Sequence, residues 1–417
     1  MFRWFVLSAV ALAWVGCGSP AELATEEGSA TESDASESSD GSDGEPESVG
    51  ARQLWSVVGR CGSGNDVALL ADGRIAVVGD GYVDDATTEA SVGYVQLYGS
   101  DGEQLWDVSL VDASISPNAV AIGKDDEIVA VGGAAQGANA IALDPSGNAI
   151  AMVETALSDG SNLELVDVTV GHDGELLIVG NAEYPGNAGR AVWVGSWSLG
   201  ESIDTAATLE ASDSNFFGPT ARSIAVTSQG IALCGYDWVG EATAVWTAAY
   251  SADFVPLWSD DVYGSDTSSY QTCSAVRVWG GGLMAAGQIE PEGGRLYFYD
   301  AAGDPIEPTP ALPSPPAGEL VEVVDLAANG TLLALGGRFK DYPSTGRRSW
   351  IRWHDDAHAL VAETEAAEEN EFFPDEQPDI RAIAMDSAGA VVAVGTLQTG
   401  GGHGCLTRVW LGKFVLE

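Results

Sequence analysis

Short apolar runs, each closing on a glycine, recur along the chain on either side of a polar turn. The seven copies are VALLADGRIAVVG, VAIGKDDEIVAVG, VTVGHDGELLIVG, IAVTSQGIALCG, VRVWGGGLMAAG, VDLAANGTLLALG and IAMDSAGAVVAVG, which end at Gly79, Gly132, Gly180, Gly235, Gly287, Gly336 and Gly395. Apolar segments around Asp-Gly, Gln-Gly or Asn-Gly are typical of β-hairpins, because these turn residues tolerate positive φ. The pattern therefore predicts one hairpin per copy.

A second, weaker hairpin follows each of the first six copies, at residues 93–108, 140–153, 191–206, 244–258, 295–307 and 349–362. The closing glycines are 53, 48, 55, 52, 49 and 59 residues apart. Two hairpins in a period of this length correspond to one four-stranded antiparallel blade. The predicted fold is therefore all-β, a seven-bladed β-propeller of four-stranded antiparallel blades over residues 51–417.

The two ends of this region predict how the ring closes. The seventh copy is followed by one further strand, TRVWLGKFVLE (407–417), and then the sequence ends. The segment QLWSV at Gln53–Val57 precedes the first copy and closely matches QLWDV at Gln104–Val108, a predicted fourth strand. We therefore expect the N-terminal segment to supply the outermost strand of the last blade, which would remove an exposed ladder of backbone groups.

The recurring D-G-x-I-x-V-x-G hairpin is similar to the repeats of bacterial β-propeller lipoproteins from Gram-negative species, especially myxobacteria. The resemblance covers residues 51–417. It implies the fold and leaves the activity open, because propellers carry many unrelated functions.

The N-terminus predicts export and a lipid anchor. Phe5–Val15 is an apolar run of eleven residues, which is too short to cross a bilayer (about 20 are needed) and suits a signal peptide over residues 1–16. Trp14-Val15-Gly16-Cys17 resembles the lipobox of bacterial lipoproteins, which implies acylation, palmitate included, at Cys17. No Asp follows that cysteine, which in Gram-negative lipoproteins implies the outer membrane. Simple secretion is the alternative.

Charge is the next constraint on function. Residues 18–50 carry ten acidic and no basic side chains, which predicts a disordered tether after the lipidated cysteine (17–50). The whole chain has a net charge of −45, which disfavours nucleic acid and anionic lipid headgroups as partners. Contact with a membrane would then run through the lipid anchor alone, and the folded part is expected to be a monomer.

Four cysteines lie in the predicted propeller, and an even number in an exported chain favours two disulfides. In the expected topology Cys234 ends a second strand and Cys273 begins the next blade at the same face. Cys61 and Cys405 are related in the same way across the ring closure. We therefore predict the pairs Cys234–Cys273 and Cys61–Cys405.

The long loops and their aromatic residues predict a binding face. Connections between the second and third strands, and between blades, are long and fall at one face of the disc, where binding usually resides. Aromatic residues in and beside these loops suit a protein or glycan partner; the alternative is that they pin their loops to the disc. The predicted partner-binding residues are Tyr82, Tyr184, Phe216, Phe217, Tyr236, Trp238, Phe339 and Tyr342.

No constellation for catalysis stands out. The four histidines show no metal-ligand spacing, and the acidic clusters lack the spacing of a calcium loop, so no metal or cofactor is predicted, with Ca²⁺ left open. At the starts of the first strands, Asp66 and Asp167 are acidic. The equivalent residues Ala119, Ser223, Ala275 and Ala382 are not, so no convergent charged set is expected there.

The predicted function is therefore a non-catalytic lipoprotein of the cell envelope whose propeller binds a protein or glycan partner through its long-loop face. The alternative is a propeller enzyme, either a quinoprotein-like dehydrogenase or a polysaccharide-active lyase or hydrolase.

Overall fold

The fold was taken from a computed structural model. It describes residues 49–82, 91–111, 115–134, 137–155, 157, 162–183, 190–210, 219–239, 242–262, 271–289, 293–307, 309–310, 312–314, 319–341, 347–366, 378–398 and 407–417. The signal peptide, Cys17 and most of the predicted tether lie outside these residues. Among the residues described, none forms a helix with the length and apolarity of a membrane span.

The described chain is all-β, and its strands group by their place in each sheet. The first strands are β1 (Ala51–Leu69), β5 (Ile115–Ile122), β9 (Asn162–Val170), β13 (Thr220–Thr227), β17 (Gln271–Trp279), β20 (Glu319–Ala328) and β24 (Asp379–Met385). The second strands are β2 (Ile75–Tyr82), β6 (Ile128–Ala134), β10 (Leu176–Glu183), β14 (Gly230–Val239), β18 (Gly282–Ile289), β21 (Leu332–Asp341) and β25 (Val391–Gln398).

The third strands are β3 (Ser91–Tyr98), β7 (Gly137–Leu143), β11 (Arg190–Trp197), β15 (Ala242–Ser251), β19 (Gly293–Tyr299), β22 (Arg347–Asp355) and β26 (Thr407–Leu416). The fourth strands are β4 (Gln104–Ser109), β8 (Ala149–Thr155), β12 (Asp204–Glu210), β16 (Pro256–Val262) and β23 (Leu360–Glu365). Neighbouring strands are antiparallel, and four-stranded meanders repeat along the chain. This arrangement is consistent with a β-propeller.

Strand β1 belongs to two meanders. Its N-terminal part pairs with β26, with Gln53 opposite Phe414 and Val57 opposite Leu411. Its C-terminal part, from Gly62 onward, pairs with β2. One continuous sheet therefore runs in the order β24-β25-β26-β1-β2-β3-β4.

The fifth meander departs from the predicted pattern. Residues 295–307 were expected to form a complete second hairpin, but in the described residues β19 is followed only by an isolated bridge between Tyr299 and Pro305. A proline has no N–H to donate to a ladder, and further prolines follow at Pro308 and Pro310. The three-stranded sheet β17-β18-β19 follows from that composition.

The core lies between successive sheets. Third strands such as β7 are buried along their whole length, because both faces of the sheet are covered. Trp193 and Trp197 fill the space between the second and third sheets. Trp350 lies between the fifth and sixth sheets, and Trp410 lies with Phe414 between β20–β23 and β24–β26.

Half-buried tryptophans on fourth strands pack against glycines of the next sheet. An added Cβ on Gly147 would lie 3.1 Å from the Trp106 ring, and one on Gly303 would lie 2.5 Å from the Trp258 ring. Gly147 lies in the turn between β7 and β8, and Gly303 lies in the turn after β19, both at positive φ. The turn therefore needs glycine both for its backbone and for the approach of the indole.

Gly147→Ala is expected to destabilise the protein by about 2–3 kcal/mol, because it combines a strained φ of 86° with a clash against Trp106. Gly200→Ala is the matched control. It has a φ of 93° in an equivalent turn, with nothing within 4 Å of the added Cβ, and should cost only about 1 kcal/mol. Urea unfolding of both variants measures the difference, and equal losses would show that the indole contact contributes nothing.

Candidate functional site

Each of the seven first strands carries a β-bulge in the stretch that pairs with its second strand. The register with the second strand skips one residue there, and that residue has no partner in the ladder. A bulge turns a side chain away from the regular alternation of the strand. The skipped residues are Asn65, Asn118, Val166, Arg222, Ser274, Val324 and Arg381.

Five of these bulge residues face one cavity. The first strands contact one another in chain order, and β24 also contacts β1. A cavity of about 390 Å³ is lined by Asn65, Asn118, Val166, Arg222 and Arg381, together with Asp80 and Glu164. We call this the bulge cavity. Its size falls in the range of about 300–1,000 Å³ that is usual for small-molecule sites.

The carboxylates of the bulge cavity already accept hydrogen bonds. Asp80 accepts from the Asn65 amide at 3.0 Å and from the Ser116 hydroxyl at 2.7 Å. The Asn118 amide donates to the Leu165 carbonyl at 2.8 Å and, more weakly, to Glu164 at 3.4 Å. The bonds of Ser116 and Asn118 join neighbouring sheets, whereas the bond from Asn65 to Asp80 lies within the first meander.

The two arginines of the cavity are placed differently. Both side chains are exposed. The Arg222 guanidinium lies over the Tyr236 ring, 5.8 Å from its centroid, within the range of a cation–π contact. Arg381 makes a long 3.4 Å contact to the Asn65 amide oxygen. Neither arginine forms an ion pair within the described residues, and both line the cavity, so both guanidiniums retain unused donors there.

A layer of carboxylates lies one residue further along the first strands. Asp66, Asp167 and Asp325 each accept one N–H from their own strand and one from the next first strand. Ser223 accepts one from the strand after it. The donors are Val67 and Val120, Val168 and Ile224, Leu326 and Ile383, and Val276, at 2.8–3.3 Å. These side chains therefore bind the strands to one another.

Arg277 lies among these acids. It donates to the Ser223 hydroxyl at 3.1 Å and to Asp325 at 3.2 Å. Burial raises the pKa of Asp66, and the charges of Asp167 and Asp325 raise it further. Burial also raises the pKa of Asp167 and of Asp325, while the Arg277 charge opposes the shift in both. The layer is a structural network, with its acceptors engaged by backbone N–H groups.

The predicted disulfide Cys234–Cys273 is confirmed. It joins β14 to β17 with a Cα–Cα distance of 5.6 Å, and both cysteines are buried. Cys61 lies in β1. Cys405 and Cys17 lie outside the described residues, so the pair Cys61–Cys405 and the lipidation remain predictions.

The predicted aromatic face is described only in part. Tyr236 and Trp238 contact each other edge to face at 6.3 Å, and Tyr236 supports Arg222. Phe339 is only 5% exposed and packs against Trp350, as expected of an aromatic residue that pins its segment to the disc. The side chains of the remaining members lie outside the description, namely Tyr82, Tyr184, Phe216, Phe217 and Tyr342.

The expectation that the first strands supply no convergent charged set is wrong. The expectation rests on Asp66, Asp167 and the equivalent residues of the other first strands. The charged cavity residues Arg222 and Arg381 lie one residue earlier, at the bulges. The signal was present in the aligned repeats, where Arg222 and Arg381 immediately precede Ser223 and Ala382. Within the described residues, no group of three or more His, Cys, Asp or Glu side chains could hold a metal ion.

Comparisons with known proteins give structural likeness only. No protein-family model and no curated protein matches the chain. An endo-arabinanase from Bacillus licheniformis aligns at 9% identity, over 71% of this chain and 92% of its own, with a TM-score of 0.34. A calcium-binding regucalcin from Agrobacterium tumefaciens aligns at 13% identity, over 69% and 85%, with a TM-score of 0.39.

Sqt1 from Saccharomyces cerevisiae aligns at 8% identity, over 84% and 85% of the two chains, with a TM-score of 0.44. The arabinanase and the regucalcin are propeller-type proteins. At such identities and TM-scores the likeness carries no argument about activity.

Beside the cavity, Asp237 lies between Tyr236 and Trp238 in β14. Burial raises the pKa of Asp237 to about 6 from an ordinary value of 3.8, and the Asp261 charge adds to the shift. The folded state therefore holds this proton more tightly than the unfolded chain. Stability consequently falls as the pH rises from about 4 to about 6, and the loss is complete above that range.

Asp237→Asn is expected to raise the melting temperature above about pH 6.5, where the native carboxylate is charged, with no gain below about pH 4. Melting curves between pH 4 and pH 8 test this. Asp125→Asn removes one exposed charge elsewhere and corrects for the overall acidity of the chain. A gain that is the same at every pH would contradict the assignment.

Proposed function

We propose that the folded part is a seven-bladed β-propeller closed by the N-terminal half of β1. The cyclic order of contacts among first strands, β24 with β1 included, supports closure. So does the cluster that packs Val67, Ile75 and Tyr98 against Val392 and Leu411.

The position of Trp55 supports closure as well. A Cβ on Gly102 would lie 3.0 Å from its ring, the same relation that Trp106 has to Gly147. Trp55 thus occupies the place of a fourth-strand tryptophan of the seventh blade, packed on the first.

Trp55→Ala is expected to destabilise the protein by about 2–3 kcal/mol, since it removes a half-buried indole from a blade interface. Trp106→Ala should cost slightly more, because the Trp106 indole N–H also donates to the Pro145 carbonyl at 3.1 Å. Denaturant unfolding measures both. If the ring were open, Trp55→Ala would have an effect of about 0.5 kcal/mol or less.

We propose further that the propeller is a non-catalytic binding protein whose bulge cavity takes a polar ligand, a glycan in preference to a protein. The observation that carries this is the convergence of amides, carboxylates and exposed guanidiniums on one cavity of about 390 Å³. Planar polar groups of these kinds bind hydroxyls in pairs. The cavity residue Arg222 lies over the Tyr236 ring, which in turn contacts Trp238 edge to face.

The alternative is a polysaccharide-active enzyme that uses the same cavity. Asp80 and Glu164 are its carboxylates, and each accepts a hydrogen bond from a neighbouring amide. An enzyme would need one of them as acid or base. Turnover of a bound glycan, lost in Glu164→Gln, would favour this alternative over binding alone.

We also propose the location that the N-terminus indicates: cleavage after residue 16, lipidation at Cys17, and a tether to residue 50 that holds the propeller off the outer membrane. The support is the sequence alone. Mass spectrometry of the mature N-terminal peptide tests it, and an unmodified Cys17 would leave secretion as the remaining interpretation.

The binding proposal is tested by blocking the cavity. Val166 is a partly exposed bulge residue that lines the cavity and also packs against a core cluster, so Val166→Trp should fill the cavity, and its melting temperature shows whether the fold is kept. We expect the affinity for glycans found on an array to fall at least about tenfold by calorimetry, a change of about 1.4 kcal/mol. Val255→Trp, at a 58% exposed turn residue, is the control. Equal affinity of both variants for every glycan would show that the ligand binds elsewhere.

A further inference from the structure

Arginines that lack a carboxylate partner are exceptional in this protein. The chain has 62 acidic and only 17 basic residues, so a guanidinium has many carboxylates within reach. Ion pairs engage Arg52, Arg60, Arg74, Arg190, Arg277, Arg338, Lys340, Arg348 and Arg352. Arg222, Arg381 and Arg408 form no such pair within the described residues, and of these three Arg222 and Arg381 line the bulge cavity.

The two arginines bring to the cavity N–H donors that no group of the described residues accepts, while Asp80 and Glu164 keep some acceptor capacity. Asp80 already accepts two hydrogen bonds. The Asn65 amide oxygen accepts from Ser63 at 3.2 Å and from Arg381 at 3.4 Å. A guanidinium has five N–H donors and no acceptor, and within the described residues only one of those of Arg381 is used. The two guanidiniums therefore still require acceptor oxygens, and a charged acceptor forms the stronger hydrogen bond with them.

We infer that the bulge cavity binds the carboxylate of an acidic sugar, a uronate, through Arg222 and Arg381. This rests on the proposed function and names its ligand class. A carboxylate suits a guanidinium because two parallel N–H···O bonds can form between the planar groups. Tyr236 lies against the Arg222 guanidinium and orients it, so Arg222 is assigned to the carboxylate.

The rest of the cavity fits the rest of such a sugar. Arg381 comes from β24 and Arg222 from β13, which are first strands of non-adjacent sheets, so the two approach a ligand from different sides. Glu164 and Asn118 can bind ring hydroxyls between them. Glu164 carries a negative charge, so a ligand with several anionic groups, such as a polyphosphate, is disfavoured compared with one carboxylate among hydroxyls.

The test uses matched probes that differ in one group. The folded protein is titrated with galacturonate, glucuronate and mannuronate, and with galactose, glucose and mannose. At least one uronate should bind at least about tenfold more tightly than its neutral counterpart. Linear trimers of the preferred uronate form the second arm. Tighter binding of the trimer than of the monomer indicates a polymer as the source, and equal binding indicates the free sugar; both outcomes support the inference.

The variants Arg222→Gln and Arg381→Gln should remove the preference, with about a tenfold or greater loss for the uronate and less than about twofold for the neutral sugar. Lys124→Gln, at an exposed turn residue that does not line the cavity, controls for the loss of one positive charge. Unchanged melting temperatures confirm that the variants fold.

Different failures have different meanings. The inference of an acidic ligand is wrong if neutral sugars bind as tightly as uronates, or if Lys124→Gln reduces uronate binding as much as the cavity variants do. In either case the proposal that the cavity binds a ligand is unaffected. If no uronate monomer or trimer binds at millimolar concentration, the inference is also wrong. If uronates bind equally to the wild type and to Val166→Trp, both the inference and the proposed cavity fail.

Discussion

The arrangement depends on how the first strands satisfy their backbone N–H groups where they lie side by side. A bulge interrupts each ladder at that point, and an unpaired buried N–H costs about 1–3 kcal/mol. Asp66, Asp167 and Asp325 each accept two such groups, one from their own strand and one from the next, and Ser223 accepts a further one. Three carboxylates and one hydroxyl thereby hold successive sheets at a fixed spacing. This arrangement places carboxylates in the interior, where burial disfavours their charged form. Arg277 offsets this cost through its ion pair with Asp325.

This constraint leaves the bulge residues free to vary in chemistry. Since the residue after four of the seven bulges accepts backbone N–H groups that hold the strands together, the bulge residue itself can vary in chemistry without loss of those bonds. Asparagine, valine, arginine and serine all occur there. The bulge residues that line the cavity and the residues that bind the strands together are thus separated by one position in the sequence. The carboxylate layer lies next to the cavity.

The one-residue offset between the bulge residues and the carboxylates also limits what the sequence could predict. The hairpins followed from turn residues between apolar runs, and the Cys234–Cys273 pair followed from strand order, because both depend on local pattern and topology. The cavity did not follow, because a bulge shifts the register by one residue and leaves no signature in hydrophobic alternation. Asp66 and Asp167 were therefore considered for chemistry when their carboxylates bind backbone. Pro305 signals that the fifth meander has no fourth strand in the described part of the chain. The regularity of the repeats outweighed that signal in the sequence-based prediction.

The double membership of β1 also has a consequence for the order of assembly. Half of this strand pairs with β2, which follows it within a few residues, whereas the other half pairs with β26, near the end of the chain. Until β26 is available, the N-terminal half has a free backbone edge and an exposed Leu54. Such an edge can pair with other chains. The contact between β1 and β26 spans almost the whole described chain, so its formation carries the largest loop-closure cost, and the edge needs shielding until β26 arrives.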